Sequence, residues 1–271
     1  MGREAELIQT SSPNHASALA ADAVERGFEI IVAAGGDGTL NEVVNGVASV
    51  RGGCEKVKIG VLPLGTINVF ARELGIPRTL DDAWSAIRAG KARTIDLGRV
   101  DYDNTPGKPR YFVQLGGAGL DALAVEEVNW KLKRKIGPVA YAFAGLYALR
   151  HEPVEIRVTA DGIETGGELV LIGNGKRYGG EFKVFPEANV TDGLLHVRVF
   201  KKMRALNLLS NGTRLLASIP FNKSSVQYLK AKSFKLVAPS RVPLELDGEA
   251  AGALPVTISI EPKRLNVITP A

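Results

Sequence analysis

The sequence has few of the residues and segments that mark several large classes of protein. Its single cysteine, Cys54, cannot form an internal disulfide, so a reducing compartment such as the cytoplasm is expected. One thiol and three histidines without paired spacing also argue against a thiolate or histidine metal cluster. No run of about 18 uncharged apolar residues occurs, which excludes a membrane-spanning helix. Residues Met1–Ser12 lack the apolar core of a secretory signal peptide, so none is expected.

The chain does carry an excess of positive charge. It has 34 Lys and Arg residues against 29 Asp and Glu residues, a net charge of +5 and a pI near 9.3. Such a balance favours an anionic partner, which could be a nucleotide, an anionic lipid surface or nucleic acid. A basic surface that is simply solvated is the alternative.

The two halves of the chain differ in hydrophobic period, which predicts two domains. The β-type runs Phe28–Ala34 and Lys58–Leu64 alternate with helical patterns, as in a parallel sheet covered by helices. From about Thr94, short strands such as Tyr111–Leu115 are separated by turn signals such as Asp161-Gly162, as in an antiparallel sandwich. The predicted domains are a three-layer α/β domain over residues 1–93, rejoined by residues 262–271, and a β-sandwich over residues 94–261.

The stretch Gly35–Asn41, GGDGTLN, follows an apolar run and opens a helix. Backbone N–H groups without Cβ atoms at a helix N-terminus form a cradle for phosphate. Asp37 in that cradle would repel a bare phosphate, so it is better suited to bind Mg²⁺ on a phosphate chain. Thr39 is an N-cap candidate. The alternative is an ordinary βα turn in which Asp37 caps its own helix.

A second stretch, Leu62–Arg72, repeats this architecture with Gly65, Thr66 and then Asn68, which can cap a helix. Two neighbouring strands that end in such turns would face one crevice, and a nucleotide could lie between them. Two unrelated βα turns remain the alternative.

A third stretch, Pro243–Glu249, places Asp247 and Glu249 two residues apart in an extended or turn context. On an extended segment both carboxylates point to one side, which suits a general base and a group that orients it or binds a metal. A solvated Asp-Gly turn is the alternative, and the spacing alone favours it.

Four blocks of the sequence together resemble the diacylglycerol kinase catalytic-domain family, which includes bacterial lipid kinases, sphingosine kinases and ceramide kinases. The resemblance covers nearly the whole chain, although GGDGT alone is shared with NAD kinases and phosphofructokinases. The blocks are GGDGTLNEVVNG at Gly35–Gly46, LPLGTINVFARELGIP at Leu62–Pro77, PEANVTDGLLHVRVF at Pro186–Phe200 and LDGE at Leu246–Glu249.

The resemblance implies an α/β nucleotide-binding domain of the NAD kinase and phosphofructokinase type, joined to a β-sandwich, with ATP in the cleft between them. It implies that Asp247 or Glu249 takes the proton from a substrate hydroxyl. It also implies a magnesium site at Asn189, Asp192 and the backbone of Leu194. The residues expected to contact the nucleotide are Thr10, Gly35, Gly36, Asp37, Gly38, Thr39, Leu40, Asn41, Gly65, Thr66 and Asn68.

The segment Asn129–Leu149 bears on the substrate. Four basic residues precede an apolar helix too short to cross a bilayer, a combination that suits transient docking at an anionic membrane. A buried sandwich helix with a solvated basic leader is the equal alternative.

Two features depart from the family pattern. Family members begin with a strand and an Asn-Pro turn, and we expect that strand to be missing here. Val69 stands where many members carry Asp after Asn68, which removes one candidate from the magnesium network.

The sequence therefore predicts a cytoplasmic, peripherally membrane-associated kinase that transfers phosphate from ATP, with Mg²⁺, to a lipid hydroxyl. No nucleic acid partner is expected, and an exposed strand edge could pair two copies. The alternatives are a NAD kinase, or a non-catalytic nucleotide-binding or lipid-binding module.

Overall fold

The computed structural model describes residues 5–120, 122–123, 153–202, 210–211, 213–215 and 219–270. The helices in these ranges are α1 (His15–Glu25), α2 (Asp37–Ser49), α3 (Gly53–Lys56), α4 (Val69–Glu73) and α5 (Leu80–Ala89). The strands are β1 (Ile30–Gly35), β2 (Lys58–Pro63), β3 (Ala92–Tyr102), β4 (Arg110–Phe112), β5 (Leu115–Gly119), β6 (Ile156–Ala160), β7 (Ile163–Gly167), β8 (Leu169–Gly173), β9 (Arg177–Tyr178), β10 (Phe182–Lys183), β11 (Leu195–Phe200), β12 (Val226–Ala231), β13 (Ser233–Val237), β14 (Pro243–Leu246), β15 (Glu249–Ala253) and β16 (Val256–Ile268).

One mixed sheet begins with the parallel strands β1 and β2 and continues in the order β16, β13, β6 and β7, while β3 pairs with β16 and β4. The apolar run of β1 is half-buried or buried, except for the exposed Ala34, because helices pack on this part of the sheet. Both strands end at the same edge, which sets the following turns side by side.

The long strand β16 belongs to both the parallel and the antiparallel part of the mixed sheet. Its last residues pair in parallel with β2 through Asn266 and Val267, and its first residues pair with β3 and β13 in antiparallel fashion. The strand is irregular between Glu261 and Leu265, where Lys263 adopts positive φ and donates its N–H to Asp96 Oδ1 at 2.7 Å.

The second sheet is antiparallel, with the order β12, β11, β8, β5, β14 and β15. Alternate residues of this sheet, such as Val197 and Leu244, share one apolar core with residues of the mixed sheet, such as Val158 and Ile258. The predicted fold class is confirmed. Helices cover the end of the mixed sheet that contains β1 and β2, and the rest of that sheet packs face to face on the antiparallel sheet.

The predicted strand Tyr111–Leu115 is divided in the structure. Strand β4 ends at Phe112 and β5 begins at Leu115. The N–H groups of Val113, Gln114 and Leu115 all donate to the Asp247 carboxylate instead of to a neighbouring strand.

Among the described residues, none of the helices has the length and the hydropathy that a membrane-spanning helix needs.

Candidate functional site

The two glycine turns, which follow β1 and β2, pack against each other. The N–H of Leu64 donates to the carbonyl of Gly35 at 3.0 Å, which ties the second turn to the first. Gly36 and Gly65 are in direct contact, because a Cβ atom on Gly65 would lie 2.5 Å from Gly36 Cα. Only glycine fits at this contact, so the two turns lie side by side at one edge of the sheet.

The first turn leads directly into α2, which begins at Asp37 with Gly36 at the N-cap position. The predicted N-cap role of Thr39 is therefore wrong, and its side chain lies against Gly35. N–H groups in the first turn of a helix have no partner within the helix, and the helix dipole makes this end attractive to anions. The N–H of Leu40 donates to the carbonyl of Gly36, and the Leu40 side chain lies in the core, so neither group is available to a phosphate.

The carboxylate of Asp37 joins the two turns. It accepts hydrogen bonds from the N–H groups of Val69 at 3.0 Å and Phe70 at 3.2 Å. Asp37 therefore caps α4, the helix that follows the second turn, and not its own helix. Burial raises the pKa of Asp37, and the two backbone hydrogen bonds oppose that rise.

Asn68 occupies the N-cap position of α4 in a left-handed conformation but makes no capping hydrogen bond with its side chain. Its amide instead closes the second turn, donating to Gly65 O at 2.6 Å and accepting from Gly65 N at 3.1 Å. Asp37 does the capping that the sequence assigned to Asn68.

Polar side chains on α2 connect the glycine turn to the rest of the protein. Asn41 is buried and donates to Asp247 Oδ2 at 2.9 Å and to Tyr111 O at 3.0 Å. Asn45, one helical turn later, accepts from Tyr111 N at 2.9 Å and donates to Tyr111 O at 2.9 Å. Asp37, Asn41 and Asn45 recur every four residues and therefore lie on one face of α2, and this spacing could have identified Asn45 from sequence.

Asp247 lies at the tip of the β14–β15 hairpin, with only 6% of its surface exposed. Four N–H donors surround its carboxylate at 2.9–3.0 Å: the backbones of Val113, Gln114 and Leu115 and the Asn41 amide. Burial raises the pKa of Asp247 to about 6, while these hydrogen bonds oppose the rise. The predicted alternative of a solvated turn does not hold for this carboxylate.

Glu249 lies at the start of β15 and is half-buried. Its carboxylate packs on Gly38, since a Cβ atom on that glycine would lie 2.8 Å from Glu249 Oε1. Among the described residues, no hydrogen bond or ion pair to this carboxylate is formed. The two acidic residues therefore both meet α2, but Asp247 is enclosed and Glu249 faces the glycine turn.

Two predicted nucleotide contacts lie at the surface. Thr66 is exposed in the second turn, beside Gly65. Thr10 is exposed in the segment before α1, and no hydrogen bond in the described ranges links it to the glycine turns.

The predicted magnesium residues are neighbours in the loop before β11. Asp192 accepts from the N–H groups of Asn189 at 3.1 Å and Leu194 at 2.9 Å, and its Oδ2 lies 2.9 Å from His196 Nε2. Arg93 approaches Asn189 Oδ1 at 3.3 Å. These donors use part of the acceptor capacity of the Asp192 carboxylate, which has about four acceptor sites. The magnesium site stays a prediction.

The predicted membrane-docking segment, Asn129–Leu149, lies outside the described residues.

Comparison with known proteins agrees with the architecture. Residues 1–100 match the model of the diacylglycerol kinase catalytic domain, and residues 116–269 match that of the YegS C-terminal NAD kinase beta sandwich-like domain. The diacylglycerol kinase of Bacillus subtilis (strain 168) is 33% identical over 273 residues, which cover 99% of this chain and 87% of that protein. The diacylglycerol kinase of Staphylococcus carnosus (strain TM300) is 32% identical over 272 residues, 99% of this chain and 86% of that protein.

A crystal structure of a diacylglycerol kinase from Bacillus anthracis str. Sterne has a similar fold. It superposes with a TM-score of 0.75 at 23% identity, and the match covers 97% of this chain and 85% of that chain.

Proposed function

The chain belongs to the diacylglycerol kinase family, and on that premise we propose that it transfers the γ-phosphoryl group of ATP to a lipid hydroxyl, with Glu249 as the general base. One observation carries the proposal: the Glu249 carboxylate packs on Gly38, in the first turn of α2. A proton acceptor therefore lies beside the helix end that suits a phosphate chain.

An alcohol is a weak nucleophile at neutral pH, so the reaction needs a base close to the reacting hydroxyl. The N–H groups of Gly38 and Thr39 would hold phosphoryl oxygens, and Glu249 would take the proton as the new P–O bond forms and the bond to ADP breaks. Glu249 suits this role because its carboxylate is half-exposed and has no partner among the described residues. A positioned base contributes a factor of about 10² to 10⁴ in rate.

Asp247 is assigned a positioning role. Its carboxylate accepts four N–H groups and is enclosed, so a substrate hydroxyl has no access to it. Its hydrogen bond to Asn41 fixes the β14–β15 hairpin against α2. Glu249, two residues later, is thereby held over Gly38.

Asp37 would hold Mg²⁺ on the phosphate chain. Each of its oxygens accepts one backbone N–H, and a carboxylate has about four acceptor sites, so capacity for a hard cation is left. When bound, Mg²⁺ neutralises charge on the phosphoryl oxygens.

The test is a transfer assay with radiolabelled ATP, Mg²⁺ and diacylglycerol in mixed micelles, with a total lipid extract and NAD in parallel reactions. We expect label in the organic phase, and mass spectrometry of the product identifies the acceptor. Label in NAD would instead support a NAD kinase. ATP binding without transfer to any acceptor would support a non-catalytic module.

A further inference from the structure

A cleft of about 870 Å³ opens at the end of the β15–β16 hairpin. Its walls come from three connections: the loop between β3 and β4, the loop between β13 and β14, and the β15–β16 turn. Small apolar residues, including Ala251, Leu254 and Pro255, form part of its lining. Nothing in the proposed transfer reaction uses this cleft.

The charged residues of the cleft are all cationic. Lys108, Arg110 and Arg241 line it, and no carboxylate does so among the described residues. Neither Lys108 nor Arg110 forms an ion pair within the described ranges. The acid nearest in sequence to Lys108 and Arg110 is Asp103, whose carboxylate lies 3.4 Å from Lys235 Nζ and is not part of the lining.

The cleft adjoins the proposed transfer site through β15. This strand begins at Glu249, which packs on Gly38, and its residues Ala251–Ala253 line the cleft. Arg110 Nη1 donates to Ala250 O at 3.4 Å, one residue after Glu249. At about 3.4 Å per residue, Gly252 lies roughly 10 Å along the strand from Glu249.

We propose that this cleft binds a phosphate group while the neighbouring site phosphorylates the lipid. The Lys108 ammonium and the Arg110 guanidinium have no carboxylate partner among the described residues, and such groups select phosphate by charge and hydrogen bonding. The small apolar lining beside them admits the glycerol part of a phospholipid headgroup, and free phosphate has the same recognition chemistry. The inference rests on the proposed function only for the identity of the neighbouring site.

Vesicle flotation with the full chain, without ATP, tests the site. Vesicles of phosphatidylcholine are compared with vesicles that also contain phosphatidylglycerol, and calorimetric titration with inorganic phosphate distinguishes a soluble source. Each cation near an anionic surface is worth a factor of about 5 in binding, so the double variant Lys108→Ala/Arg110→Gln should lose roughly 30-fold on the anionic vesicles. Loss of phosphate binding alone would assign the site to free phosphate and still support it.

The matched control is Lys223→Ala/Lys230→Ala, which removes two exposed charges from the loop before β12 and from β12 itself. An equal loss of vesicle binding in both double variants would overturn the proposal, because binding would then follow net charge. Unchanged binding of both vesicles and inorganic phosphate by Lys108→Ala/Arg110→Gln would also overturn it, because the cleft would not be involved. In the wild-type protein, anionic vesicles should also protect Lys108, but not Lys223, from acylation by a water-soluble reagent. Because no assay contains ATP, an inactive kinase does not affect the result.

Discussion

Two Asp-Gly turns close hairpins of this protein with almost the same backbone. Asp161 and Gly162, between β6 and β7, have φ values of 48° and 77°, and Asp247 and Gly248, between β14 and β15, have 50° and 84°. Asp161 is exposed to solvent, whereas Asp247 is buried and surrounded by four N–H donors.

The difference arises from what each hairpin faces, and not from the turn itself. The β14–β15 hairpin meets α2 and the junction of β4 and β5, so its carboxylates lie at the candidate site. Asp-Gly determines the turn geometry through its tolerance of positive φ. The tertiary position then decides whether an acidic side chain is solvated, structural or available for chemistry.

The largest effect is expected from Glu249→Gln. Loss of the base should lower kcat by a factor of about 10² to 10⁴, with the KM for ATP unchanged because the glycine turn is intact. Glu164 follows the other Asp-Gly turn and is exposed. The control substitution Glu164→Gln should therefore leave kcat and the KM for ATP unchanged. Initial rates with diacylglycerol measure the effect, and a Glu249→Gln variant with near-normal kcat would refute the assignment of the base.

The second-largest effect is on the unfolding free energy, which should respond differently to substitution of Asp247 and of Asp161. At pH 4, Asp247→Asn adds a further N–H donor to a cluster of N–H donors and leaves at least one of them unpaired, at a cost of about 1–3 kcal/mol in unfolding free energy. Asp161→Asn should cost less than about 0.5 kcal/mol because the side chain is exposed. Urea denaturation of both variants measures the difference. Equal costs would mean that the hydrogen bonds to Asp247 contribute little.

The variants Asp247→Asn and Asp161→Asn should also differ in how their unfolding free energies depend on pH. The pKa of Asp247 is raised to about 6 in the folded protein, above its ordinary value of about 4, so protonation favours the folded state. This stabilisation is present below about pH 4 and is lost as the pH rises through 6, a change of about 3 kcal/mol. The difference in unfolding free energy between wild type and Asp247→Asn should fall accordingly from pH 4 to pH 7. The Asp161→Asn variant should parallel the wild type over this range.

The fold was predictable where the local pattern and the tertiary contacts agree. The run Phe28–Ala34 and the glycines after it predicted β1 and the turn into α2, because strand propensity and glycine tolerance are local properties. The division of Tyr111–Leu115 into β4 and β5 was not predictable, because its cause is the carboxylate of Asp247, far along the chain. The start of α2 at Asp37 was missed because Thr39 is also a good N-cap residue.

The site was predictable in composition but not in the role of each side chain. The sequence indicated that Asp37 and Asn68 belong to the two turns, yet it assigned the capping of α4 to Asn68 and not to Asp37. It also could not separate Asp247 from Glu249, because both lie in one short block. Burial and hydrogen-bond partners distinguish the two carboxylates, and they depend on contacts between distant segments.

The smallest effect concerns the turn glycines, and here the two hairpins should behave alike. Gly162 and Gly248 both have positive φ, and a Cβ atom on either would meet no other atom within 4 Å. Substitution by Ala therefore costs only the backbone strain of the left-handed region, about 1–2 kcal/mol at each position. Equal losses in urea denaturation would show that the backbones are equivalent and that the side chains of Asp247 and Glu249 make the difference. A much larger loss for Gly248→Ala would mean that the hairpin at α2 depends on its backbone as well.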